Sequence, residues 1–158
     1  MRLLHAGPLS SLLDDLNKVL LPLKSGSMFV TVACVRGGIG GTLEYSVAGH
    51  LPILCVRAST RTVEEITTPQ IPVGMFGDYR FTSATLECRR GDVLVLITDG
   101  LTEVFNARDE QFGMDAVKAI LAAAAERPLA EISEQIVAAA RAHGTQLDDQ
   151  TLLLVRRL

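Results

Sequence analysis

Val93-Leu94-Val95-Leu96-Ile97-Thr98-Asp99-Gly100 is an apolar run that ends in an acid and a glycine, and it is answered further along by Asp148-Asp149-Gln150-Thr151-Leu152-Leu153-Leu154-Val155. Each stretch pairs a strand-like segment with carboxylates at one of its ends. An unpaired carboxylate taken out of water costs several kcal/mol, about the stability of a small domain, unless a cation or hydrogen bonds hold it. Two such ends in one chain suggest a hard-metal site. Asp99-Gly100 alone also reads as a simple strand-ending turn, and Asp148-Asp149 also reads as a solvated loop pair. Adjacent like charges raise each other's pKa, so the pair calls for a cation or for one solvated member. The candidate site is therefore Asp99, Gly100, Asp148 and Asp149, and oxygen donors without His or Cys favour Mg²⁺ or Mn²⁺ over zinc. Such sites act on phosphate-bearing substrates, which makes phosphate-ester chemistry the preferred reaction class.

The 158 residues fit one domain, read over 1–158, with no internal repeat or linker. At 48% hydrophobic and 4% aromatic, with no Trp, the core is aliphatic. A net charge of −3 with basic residues scattered singly or in pairs gives no basic field for a nucleic-acid partner. No apolar run reaches the roughly 18 residues of a membrane span, so no membrane partner is expected and the chain reads as cytoplasmic. Cys34, Cys55 and Cys88 lack zinc spacing and read as reduced thiols used as small hydrophobes.

Periodicity predicts a helix over Pro8 to Leu20, with Leu12, Leu13, Leu16, Val19 and Leu20 on one face and Asp14, Asp15 and Lys18 on the wetter one. Strands are expected over Met28 to Val35 and Thr42 to Val47, joined as a hairpin through Gly37 to Gly41, and over Pro52 to Val56 and Arg61 to Ile66. Thr68 to Gly77 reads as an ordered loop, Phe81 to Leu86 as a strand, and Arg89 to Asp92 as a polar turn before the strand Val93 to Thr98. Helices over Asp115 to Glu126 and Pro128 to Ala142 follow, the second stopped by Gly144, and Thr151 to Val155 is the last strand.

His50 reads as a structural hydrogen-bonding residue, His5 and His143 as surface residues, and Glu103 and Asn106 as capping or solvating the next turn. Thr98 and Thr102 flank Asp99, where a hydroxyl could orient a metal-bound water or close a strand edge. No serine sits in a Gly-flanked elbow, and the Gly37 to Gly41 segment lacks the Lys-Ser/Thr of a phosphate loop.

Met28-Phe29-Val30-Thr31, Tyr45-Ser46-Val47-Ala48-Gly49-His50-Leu51-Pro52, Gly91 through Glu103, Phe112-Gly113 and Asp148-Asp149-Gln150-Thr151 stand in the order and approximate spacing of one family. From about Leu12 to the C-terminus the chain resembles the sporulation stage II protein E branch of the PPM-type, metal-dependent serine/threonine phosphatases. The resemblance implies an α+β fold in which an antiparallel β-sandwich is flanked by helices. It also implies a binuclear Mg²⁺ or Mn²⁺ centre whose bridging water attacks the phosphorus directly. Asp99 then matches the metal aspartate of the Asp-Gly block and Asp148 the first residue of the terminal block. Asp149 is either their neighbour or a ligand to a more weakly held metal, and His50 has no established catalytic role.

The family's Asp-x-x-Gly-His-Gly block and an early acidic ligand are not found here, and Asp14 and Asp15 cannot substitute. Met1 to Gly7 resembles the end of the helix after that block, so the chain is expected to correspond to the C-terminal two thirds of the phosphatase domain, incomplete at its N-terminus. The resemblance implies a phosphorylated regulatory partner of the anti-sigma-factor-antagonist type. Little or no activity is expected of the isolated chain, with a pseudophosphatase binding module as the alternative. Edges left by absent strands would favour self-association, as a homodimer or an aggregate.

Overall fold

The computed structural model describes residues 7–23, 26 and 28–158. His5 and the segment before Gly7 lie outside the described residues. The chain order is α1 (Leu9–Leu23), β1 (Val32–Gly37), β2 (Thr42–Ala48), β3 (Ile53–Val56), β4 (Val63–Ile66), β5 (Ala84–Glu87), β6 (Val93–Ile97), α2 (Asp99–Thr102), α3 (Gly113–Ala123), α4 (Leu129–His143) and β7 (Leu152–Arg156). Among the described residues the strands form two sheets, ordered β1-β2-β5 and β4-β3-β6-β7, and every pairing is antiparallel. The α+β class that the resemblance implies is the one observed. The chain passes three times between two compact units, one containing the residues up to Pro52 with Thr67–Cys88, the other Ile53–Ile66 with Arg89–Leu158.

In the first unit β1 and β2 form the expected hairpin, in register from Val32 opposite Ala48 to Gly37 opposite Leu43. The first strand starts later than its β-branched run predicts. Val30 instead makes an isolated two-way bridge to Val73, which pulls residues 28–31 off the ladder. The core gathers Leu13, Ala48, Val73 and Phe81, with Tyr79 edge-on to Phe81 at 5.0 Å between ring centres. Val73, in the segment read as a loop, is fully buried.

Helix α1 runs a turn further than expected and faces inward differently. Its buried residues are Leu9, Leu13 and Asn17, while Leu16 and Val19 are exposed. Asn17 pays its desolvation with two bonds, accepting from Gly74 N–H at 2.7 Å and donating to Phe76 O at 2.9 Å. Apolar periodicity cannot register a buried polar residue, so the stripe is read one position off. Asp14 is half-buried and accepts the Phe81 N–H at 3.0 Å, so it is not a wet-face residue as expected. At the helix start Glu44 takes the Leu9 N–H at 2.8 Å, the Ser83 hydroxyl at 2.7 Å and the Arg36 guanidinium. Burial pushes the Glu44 carboxyl up, and these bonds together hold it below the usual carboxylate range.

In the second unit β3 is buried at all four positions and β6 at all but Leu96, so both read as continuous apolar runs rather than alternating ones. Helices α3 and α4 pack on each other and α4 on β7. Ile132, Ile136 and Ala140 form the buried stripe of α4, and Val137 from the expected set is half-buried at its margin. Gly144 does stop α4, but not as a left-handed cap: its φ is −173°. Glycine is needed because a Cβ there would overlap the Phe105 carbonyl.

Candidate metal centre

Asp99 and the Asp148-Asp149 pair meet through the β6–β7 ladder. That ladder runs from Val93 opposite Arg156 to Ile97 opposite Leu152, so continuing it places Thr98 opposite Thr151 and Gly100 opposite Asp149. The backbone obeys this register one step further, with Thr98 N–H donating to Thr151 O at 3.1 Å. There the first strand turns into α2, whose opening bond runs from Leu101 N–H to Thr98 O at 3.1 Å. The strand-ending turn at Asp99-Gly100 is therefore a single helical turn, a form the sequence reading did not foresee.

Gly100 is buried, and a Cβ on it would overlap the Asp149 carbonyl oxygen and lie 3.1 Å from that carbonyl's carbon and 3.2 Å from the Asp148 carbonyl carbon. The glycine is there to let the second acidic loop lie against the first. Gln150 ties them again, its Nε2 donating to Gly100 O at 3.0 Å. Thr98 Oγ1 donates to Asp149 O at 3.2 Å and accepts the Thr151 N–H at 2.9 Å. Of its two readings, Thr98 thus takes the strand-edge bond, and Thr102 Oγ1 is turned back to Asp99 O at 3.1 Å.

The carboxylates of Asp99, Asp148 and Asp149 are exposed. Asp99 Oδ1 accepts Gly100 N–H at 3.0 Å and Asp148 Oδ1 accepts Asp149 N–H at 2.7 Å, which leaves each with free lone pairs. Hydrated oxygen donors on two clasped loops suit a single hard cation that keeps much of its water. They do not suit a closed cage or a binuclear centre by themselves: among the described residues no group of three or more His, Cys, Asp or Glu converges.

The opposite end of β6 holds a second acid, which sequence reading placed in a plain polar turn. Asp92 is 2% exposed and accepts Arg57 Nη1 at 3.0 Å, Ala58 N–H at 2.9 Å and Arg89 N–H at 2.9 Å. Burial pushes its carboxyl up, and these three donors outweigh that to hold it below the usual range. Its charge is satisfied internally, so it anchors the turn and offers nothing to a ligand. Asp after Gly at the start of a buried strand was the available signal, and only tertiary contacts supply Arg57.

The remaining candidates are structural. His50 Nδ1 is 2.9 Å from Leu51 O, and a Cβ at Gly49, whose φ is +66°, would run into the Pro72 ring. Asn106 caps its own turn through Arg108 N–H at 2.9 Å and Glu110 N–H at 3.0 Å, as expected, and Glu103 N–H closes on Asp99 O at 2.8 Å. His143 is half-buried, with Nε2 at 2.8 Å from Glu110 O and its ring beside Phe112, because the 105–112 loop folds onto the end of α4. The three cysteines are free, Cys55 and Cys88 buried and Cys34 partly so.

Known proteins match this chain along its length. The family model for Stage II sporulation protein E (SpoIIE) covers residues 2–158. Phosphoserine phosphatase RsbU of Bacillus subtilis (strain 168) is 27% identical over 95 residues, which are 60% of this chain and 28% of that protein. Among solved structures, the RsbU and RsbW domains of Rv1364c from Mycobacterium tuberculosis superpose with a TM-score of 0.79 at 25% identity, over 96% of this chain and 42% of that one. The S. agalactiae serine/threonine phosphatase gives a TM-score of 0.69 at 18% identity, over 95% of this chain and 69% of that one. The phosphatase domain of SpoIIE from Bacillus subtilis gives 0.65 at 16%, over 87% and 61%. The chain spans under half of the RsbU and Rv1364c proteins it matches. With the two antiparallel sheets and their helices reproduced in these phosphatases, the chain belongs to the SpoIIE family of PPM-type serine/threonine phosphatases.

Proposed function

We propose that this chain carries part of the metal-binding face of a protein serine/threonine phosphatase, with Asp99, the Gly100 carbonyl, Asp148 and Asp149 as its oxygen donors. The observation that supports this is the clasp of the two acidic loops through Gly100, which has no purpose in a turn whose carboxylates merely meet water. Bound Mn²⁺ or Mg²⁺ would supply a polarised water and charge neutralisation at a phosphoryl group. The protein's part is to hold the two loops in register and keep the donors facing solvent, where a phosphoserine or phosphothreonine on a regulatory protein can reach them. The match to a phosphoserine phosphatase supports a phosphoserine-bearing partner, and we place that partner in the cytoplasm and in the anti-sigma-factor-antagonist class. No described helix is long and apolar enough to cross a membrane.

Donors from these two loops leave octahedral Mg²⁺ mostly to water, so weak catalysis is the outcome we propose for the chain by itself. A second reading, a binding module without turnover, is favoured by one feature of the first unit. Val19, Leu23, Met28, Phe29, Val30 and Phe76 are all exposed, and Leu23, Met28, Phe29 and Val30 line an apolar pocket of about 110 Å³.

Mn²⁺-dependent hydrolysis of p-nitrophenyl phosphate and of a phosphoserine peptide separates these readings. Hydrolysis lost in Asp99→Asn supports the enzyme, and none in either protein supports the module. In parallel, Mn²⁺ should raise the melting temperature of the wild type in a concentration-dependent way and leave Asp99→Asn unmoved. An equal rise in both proteins would remove Asp99 from the site.

A further inference from the structure

We propose that Thr98 is the positioning residue of the candidate centre, its hydroxyl setting the spacing between the Asp99 carboxylate and the Asp148-Asp149 loop. The inference rests on the metal-site reading above. At the Thr98–Thr151 pair an antiparallel ladder would exchange two backbone bonds. One is present, Thr98 N–H to Thr151 O at 3.1 Å. The return bond is not made to the Thr98 carbonyl, which accepts Leu101 N–H in the first bond of α2. The hydroxyl takes the carbonyl's place, accepting Thr151 N–H at 2.9 Å, and then hands its own proton to Asp149 O at 3.2 Å.

Threonine stands at the N-cap of α2, with φ −85° and ψ 158°, yet its side chain does not cap that helix. It is spent across the ladder instead. One hydroxyl therefore joins the last ladder residue before Asp99 to both sides of Gln150, whose amide in turn holds Gly100 O. The carboxylates of Asp99 and Asp148 accept the adjacent backbone amides, bonds that stay within one loop and do not fix the distance between the loops. Thr98 does so without touching a ligand, as outer partners of metal ligands do.

Three proteins test this: wild type, Thr98→Val, which keeps the shape and removes the hydroxyl, and Thr98→Ser, which restores it. Two readouts are taken on the whole chain: hydrogen exchange of the Thr151 amide without metal, and Mn²⁺ affinity from calorimetric titration. Thr98→Val should expose the Thr151 amide to exchange and weaken Mn²⁺ by roughly 10- to 100-fold, with Thr98→Ser near wild type in both. Unchanged Mn²⁺ affinity in Thr98→Val overturns the positioning role, even if the amide is freed. Protection of Thr151 equal in all three proteins overturns the hydroxyl bridge itself. A wild type that binds no Mn²⁺ overturns the metal-site reading, and the positioning role with it, whereas the exchange data then still decide the bridge.

Discussion

Replacing Asp92 by Asn should destabilise this protein more than any change at the exposed acids. The substitution keeps the volume but removes the charge and turns one acceptor atom into a donor. In the 2%-exposed site of Asp92 that donor would face Arg57 Nη1, Ala58 N–H or Arg89 N–H, all of which are donors. Removing one partner of a buried ion pair costs about 3–5 kcal/mol. Arg57 keeps Glu64 through Nη2 at 2.7 Å, which places the expected loss near the lower end, about 3 kcal/mol. At a urea slope of about 1–3 kcal/mol per M, the midpoint should fall by roughly 1–3 M at pH 7.

The pH dependence carries the same signature with a definite sign. Asp92 has a folded pKa below its ordinary 3.8, so its contribution is fully present above that value and is lost as pH falls through the depressed folded pKa. The gap between wild type and Asp92→Asn should therefore be constant from neutral pH down to about 4 and close in stronger acid. A midpoint within about 0.3 M of wild type at pH 7, or a gap that widens in acid, would refute the account of Asp92 as an internally neutralised anchor.

Gly100→Ala sets two effects against each other: a helix-propensity gain of about 1 kcal/mol and an overpacking cost of about 1–3 kcal/mol where the Cβ overlaps the Asp149 carbonyl. Calorimetry should show a loss of at most about 2 kcal/mol together with a diminished Mn²⁺-induced rise in melting temperature; an undiminished rise would mean the loops need not touch. Gly144→Ala gains only about 0.4–1 kcal/mol of unfolded-chain entropy, since its extended φ suits any residue, while its Cβ would overlap the Phe105 carbonyl. Its melting temperature should fall by roughly 2–4 °C per kcal/mol lost, and an unchanged value would show that the 105–112 loop yields freely.

Much of this protein was legible in the order of its residues. The buried strand Val93–Ile97, the hairpin through Gly37 to Gly41 and the two late helices rest on local pattern, because apolar runs, glycine turns and 3.6-residue spacing act over a few neighbours, whereas the Asp-Gly and Asp-Asp ends meet only through the β6–β7 ladder. Tertiary contacts decided the rest. The inward face of α1 turns on Asn17, whose partners Gly74 and Phe76 are far away in sequence, so a polar residue could be buried where periodicity expects a leucine. Asp92 looked like Asp99 as an acid at the end of a strand, and only the arrival of Arg57 makes one an anchor while the other stays open to solvent. Thr98 could face a metal-bound water or a strand edge as far as its neighbours tell. The choice was made when the Thr98 carbonyl turned to the first bond of α2 and its hydroxyl took the Thr151 amide of the β7 lead-in.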